Sequence, residues 1–261
     1  KMAKFKIWMV ALTLLMGASL TSCVETDPTV TQVTFGQVTS FMPTVITIPG
    51  GFQITAVNSL ADKDLYPGDY VYFQYSYDSD EQKVDENTKN INATVIIGEK
   101  MTYSSAIEAE NKGEGYENVT MLQIGNGPKH NLRFMYYDKS KIIVPVIFLA
   151  EKEISKHTFT LVYDQADFEE RSEELKLYLR HNSSEEDSKS QATSYKLFSI
   201  DNALSEFANA NNGKKPEKIT IYANETKNFN SDDLKDKKDE LTAYTVAVSY
   251  THLTLPTKRI V

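Results

Sequence analysis

Cysteine is almost absent: Cys23 is the one thiol in 261 residues. That excludes a disulfide framework, a thiolate metal site and any further cysteine nucleophile, so the fold must stand on its core alone. Histidine is scarce too. His130, His157, His181 and His252 are the full set, and none has a partner at a metal-ligand spacing such as H-x-x-x-H. Basic charge is also short. Setting aside the basic residues of the two ends leaves 23 Lys and Arg against 36 Asp and Glu, a net charge near −13. Such a surface repels phosphate backbones, whose binding depends on Lys and Arg releasing counterions, so nucleic acid is not an expected partner.

What is present begins with the leader. Lys4 and Lys6 precede an apolar run from Ile7 to Ala18, followed by Leu20-Thr21-Ser22-Cys23. The run has the length of a secretory h-region and falls short of the roughly 20 apolar residues a spanning helix needs. Leu20, three residues before Cys23 with small residues between, resembles a lipobox, in which the thiol receives a diacylglycerol and the new terminus is acylated. Cys23 is therefore the expected lipidation site, residues 1–23 the signal peptide and residues 24–29 the tether. Glu25 and Asp27 beside it resemble the acidic signal that sends lipoproteins of the Bacteroides group to the cell surface. The other end, 248–261, resembles translated sequencing-adapter read-through, although Leu253 and Leu255 also suit an edge strand.

Between the ends, strand signals dominate: 15 Tyr, 12 Phe and many Val, Ile and Thr lie in short runs broken by Gly, Pro, Asn and Asp. Tyr66-Pro67-Gly68-Asp69 reads as a type II turn, with Pro67 presetting its position and Gly68 accepting positive φ. In the following strand, Val71, Phe73, Tyr75 and Tyr77 share the core face, while Tyr70 and Tyr72 share the other. Strands are also expected at 30–39, 44–48, 52–58 and 90–97. Five strands in about 70 residues suit a small closed barrel over 30–100. Residues 101–116 read as a linker, with a short helix across Lys100 to Glu110. Seven further strands over 117–226 suggest a sandwich. They are expected at 118–124, 131–137, 141–149, 157–163, 175–179, 194–198 and 218–222. Alternation of Leu175, Leu177 and Leu179 with Lys176 and Tyr178 predicts one wet face. Asp201 reads as the N-cap of a short helix ending near Asn211-Asn212-Gly213. Residues 227–247 read as a charged, solvated tail.

The lipobox leader, the turn-then-strand at Pro67 to Tyr77, Ile124-Gly125-Asn126 and Leu175-Lys-Leu-Tyr-Leu-Arg-His-Asn182 together resemble the NigD-like lipoproteins of Bacteroidetes. The resemblance spans roughly Ala3 to Asn224, and residues 41–66 depart from it most. It implies an all-β chain: an N-terminal OB-like five-stranded barrel followed by a C-terminal β-sandwich, lipid-anchored to the outer membrane and facing the periplasm or the surface. An immunity role has been proposed for that family. The family has no established activity, cofactor or catalytic residues to carry over.

The residues themselves add little chemistry. His181 beside Arg180 reads as a strand-end residue making hydrogen bonds, with a catalytic base as the alternative. Asp78-Ser-Asp80-Glu81 lacks the third ligand and Gly of a calcium loop and reads as a hairpin tip; Glu185-Glu186-Asp187 reads as a solvated loop. Gly125-Asn-Gly127-Pro128 reads as a turn, since no helix follows to form a phosphate cradle. The binding hint is aromatic: if the barrel is OB-like, Tyr70 and Tyr72 could form a face that stacks on a glycan or a protein partner, or they could serve packing instead. Two readings follow. One is a non-enzymatic envelope lipoprotein of binding or immunity type, with no cofactor and no metal. The other is an exported hydrolase with an acidic site in an interdomain cleft, a possibility open because paired carboxylates converge only in three dimensions.

Overall fold

The computed structural model describes residues 28–85, 87–129, 134–151, 153–169, 172–185, 190–230 and 236–248. The chain divides into two compact units, meeting at Thr102 and Tyr103. Cys23, His130 and His252 lie outside the described residues.

The first unit is a closed barrel of β1 (Thr29–Phe41), β2 (Thr44–Thr47), β3 (Gln53–Ala56), β4 (Tyr70–Asp78) and β5 (Asn90–Lys100), in the order β1-β2-β3-β5-β4. β3 and β5 run parallel, the other pairs antiparallel, and β4 returns to β1 to close the ring. This is an OB-like barrel, and closure removes the open edges that invite aggregation. The expected turn is there: the Asp69 amide donates to the Tyr66 carbonyl at 3.0 Å, and Gly68 has φ of +103°. Strand alternation then sends Val71, Phe73 and Tyr75 into a core with Val38, Ile46, Ile54, Ile91 and Val95, while Tyr77 packs at its margin. Leu60 and Leu65, from the β3–β4 connection, join the same core.

The second unit has two sheets. One has the order β6 (Thr102–Ser105), β13 (Ser190–Ser199), β10 (Lys141–Ala150), β8 (Gln123–Ile124), with β9 (Met135–Tyr136) also on β10. The other runs β15 (Thr242–Ala247), β14 (Lys218–Ala223), β12 (Glu174–Ser183), β11 (His157–Tyr163), β7 (Ile107–Glu108). Their inward rows form one core: Ile142, Val144, Val146 and Phe148 of β10, Leu175, Leu177 and Leu179 of β12, Ile219 and Ile221 of β14. Each fully buried side chain of this size is worth roughly 1.5–3 kcal/mol. The helix α1 (Asp201–Ala210) adds Phe207 to that core. Asp201 is its first residue and not its cap; Ser199 Oγ accepts the Asp201 amide. The helix ends as expected, with Asn212 and Gly213 at positive φ.

Four expectations give way. Residues 102–108, expected within a helix and linker, are β6 and β7, each paired to a sandwich strand. The strand expected at 118–124 contracts to the two residues of β8; of the one expected at 131–137, the described residues 134–137 include β9. The charged tail contains β15, whose Tyr244 is fully buried and whose register follows β14 along its length. The wet face of β12 is covered at Tyr178 and Arg180, both buried. Residues 110–117 form the cover: Arg180 Nε donates to the Lys112 carbonyl at 2.8 Å, and the Lys112 amide donates to Asp164 Oδ2 at 2.9 Å. Asp167 accepts the Tyr178 hydroxyl from a neighbouring turn. Burial, helped by that carboxylate, raises the Tyr178 pKa far above the phenol range.

Candidate functional site

The chief polar cluster of the sandwich lies where β11 begins and β12 ends. Alternation continues the inward rows of these strands into His157 and His181, and the register sets Phe159 opposite His181. Both rings are buried. His181 stacks on Phe159 at 4.3 Å and 9°, while Phe148 lies 4.8 Å from His157. The polar contacts run in a line: Thr120 carbonyl to His181 Nδ1 at 2.9 Å, His181 Nε2 to His157 Nδ1 at 3.0 Å, His157 Nε2 to Glu185 Oε2 at 3.0 Å. Glu185 in turn accepts the amides of Glu151 at 2.9 Å and Glu153 at 3.4 Å.

All four ring nitrogens thus have internal hydrogen-bond partners. The expected hydrogen-bonding role of His181 holds. Glu185, expected in a solvated loop, is instead the buried end of the line, its side chain 6% exposed; Glu186 and Asp187 lie outside the described residues. Sequence reasoning missed His157 and Glu185 because the partners converge only when the β11–β12 hairpin forms. Among the described residues no group of three His, Cys, Asp or Glu could hold a metal ion.

Burial pushes the His181 pKa down to about 3, against the opposing pull of the Thr120 carbonyl. In the unfolded chain an imidazole takes its proton near pH 6.5. Between these values the unfolded state binds more protons, so stability falls as pH drops, by up to about 1.4 kcal/mol per unit. A melting temperature that declines from pH 6.5 to 5, where carboxylates are still ionised, is the expected result. A flat profile there would contradict it.

Two further carboxylates, buried Glu225 and half-buried Glu117, are likewise engaged. Glu225 accepts from Tyr244 and from Lys238 Nζ at 2.7 Å, and the Tyr244 hydroxyl accepts the Ile124 amide at 3.1 Å. Glu117 accepts from Asn224 at 2.6 Å and from Arg180 at 3.5 Å.

On the barrel, the structure places Tyr70 and Tyr72, the expected candidate binding face, with little of either side chain in solvent. Tyr70 is 9% exposed, and Tyr72 is half-buried with its ring 5.1 Å from Phe35. Their strand is β4, paired with β1 and β5, and not part of the β2–β3 face that OB barrels use for ligands. Asp78 behaves as a hairpin-tip residue, its Oδ1 accepting the Asp80 amide at 2.7 Å.

No family model and no curated protein matches the chain. Solved structures do. A candidate lipoprotein from Bacteroides fragilis shares 20% identity with a TM-score of 0.63, covering 84% of this chain and 98% of its own. A protein of unknown function from Bacteroides vulgatus shares 14% at a TM-score of 0.58, covering 85% and 92%. A NigD-like immunity protein from Bacteroides caccae shares 10% at 0.49, covering 87% and 100%. At these identities the likeness is one of fold. No helix among the described residues is long and apolar enough to cross a membrane.

Proposed function

We propose that the chain is a lipid-anchored protein of the outer membrane that binds a protein or a glycan and catalyses nothing. The carrying observation is the leader ending in Leu20-Thr21-Ser22-Cys23. The fold shared with the Bacteroides fragilis candidate lipoprotein supports it. Two or more acyl chains at about 0.8 kcal/mol per buried methylene make a lasting anchor. The non-enzymatic reading rests on the polar core, where Glu117, Glu185, Glu225 and both described histidines spend their hydrogen-bonding capacity on internal partners. An immunity-type protein that shields its producer from a secreted toxin is a specific form of this reading.

Cys23→Ser tests the anchor, because serine offers no thiolate to attack the lipid donor. Export should continue, and the protein should leave the membrane fraction. A variant that still sediments with membranes after a high-salt wash, which strips charge-held proteins, would refute the anchor.

A further inference from the structure

We infer that His157, His181 and Glu185 form a three-proton latch, which holds one proton more than two neutral imidazoles carry and releases as the medium turns alkaline. The latch does not depend on the lipid anchor. The line has acceptors at both ends, the Thr120 carbonyl and the Glu185 carboxylate, and three hydrogen bonds between them. Each contact needs its own proton. Two neutral imidazoles bring only two, and no choice of tautomers avoids setting one lone pair against another. His181 must place its proton on Nδ1, since a carbonyl only accepts. Its bare Nε2 then requires the proton of His157 Nδ1. The third proton lies between His157 Nε2 and Glu185, and the buried position makes its absence costly.

Among the described residues, few charges surround the latch. Lys196 of β13 approaches from the facing sheet, its ammonium 5.5 Å from the Phe159 ring centre, and acts against positive charge on His181. On the turn before β11, Glu153 pairs with Lys156 at 3.5 Å, and Glu151 and Glu153 present backbone amides to Glu185. Phe148 and Phe159 fill the remaining sides. Arg180 and Glu117 are paired with each other, Arg180 on the opposite side of β12 by alternation. Glu185 therefore ties the 151–156 turn to the end of β12, and the tie depends on the third proton.

Above about pH 6.5 an unfolded chain keeps one ring proton on each neutral imidazole and lacks the third. The folded latch keeps that third proton, so the folding equilibrium constant of the sandwich should fall about tenfold per pH unit until it leaves. With the acid-side loss of His181, stability peaks near pH 6.5. Glu185→Gln separates this from other titrations: its amide N–H can donate to His157 Nε2 and supply the third proton without charge. The variant gives up the Glu151 amide contact and so starts less stable, but its pH slope is the reading.

The experiment is urea unfolding of the full mature protein from pH 6.5 to 8.5, followed through the backbone NMR signals of β12. The wild type should show the tenfold slope, together with three exchange-protected downfield protons at pH 6.5. Glu185→Gln should show a nearly flat profile and two downfield ring protons. A flat wild-type profile, an unchanged slope in the variant, or only two downfield protons in the wild type would overturn the latch. Should the variant not fold, the wild-type slope and proton count decide alone.

Discussion

Phe148→Ala should cost the sandwich about 3–5 kcal/mol, the range for emptying a fully buried aromatic site. Phe148 has no exposed surface, and its ring touches three others: His157 at 4.8 Å, Phe159 at 5.0 Å and His181 at 5.5 Å. The cavity would open directly beside the histidine line. Those rings cannot collapse into it without breaking hydrogen bonds that fix them to Thr120 and Glu185. Urea unfolding read on sandwich signals measures the loss. A change under about 1 kcal/mol would mean that the aromatic enclosure contributes little.

Gly113→Ala should cost about 2–4 kcal/mol, combining a left-handed backbone penalty with overpacking. Gly113 has φ of +69°, and a Cβ there would lie 2.6 Å from Val162 Cγ2 and 3.0 Å from its Cγ1. Val162 is fully buried and has no room to yield. The cover over β12 would have to lift, exposing Tyr178 and loosening the Arg180 bond to the Lys112 carbonyl. Gly115 provides the control: two residues on, a Cβ meets nothing within 4 Å. Gly115→Ala should leave the melting temperature nearly unchanged. Equal effects at both positions would refute close packing at Gly113.

The barrel was legible because its signals are local. Pro67-Gly68 announces a turn, and the residues after it alternate with period two into a buried row. β10 and β12 were legible for the same reason. β6 was not: all four of its residues are exposed, so no alternation marks it, and it exists through its pairing with β13. β15 was hidden in a charged stretch, where Tyr244 gave no warning that it would be buried against Glu225. Tyr70 illustrates the limit of alternation, which separates two faces of a strand but does not say whether the second is wet. The histidine line was illegible for a related reason. Thr120 and His181 are 61 positions apart and His157 and His181 24 apart, distances at which sequence spacing carries no geometric information.

If Cys23 carries the proposed lipid, it is the first residue of the mature protein. Intact mass and terminal peptide analysis of protein extracted from membranes tests it directly. The expected result is a chain that begins at Cys23 and is heavier than its polypeptide by a diacylglyceryl group and an acyl chain. A terminal peptide in which Cys23 carries a free thiol, or is still preceded by Ser22, would contradict it.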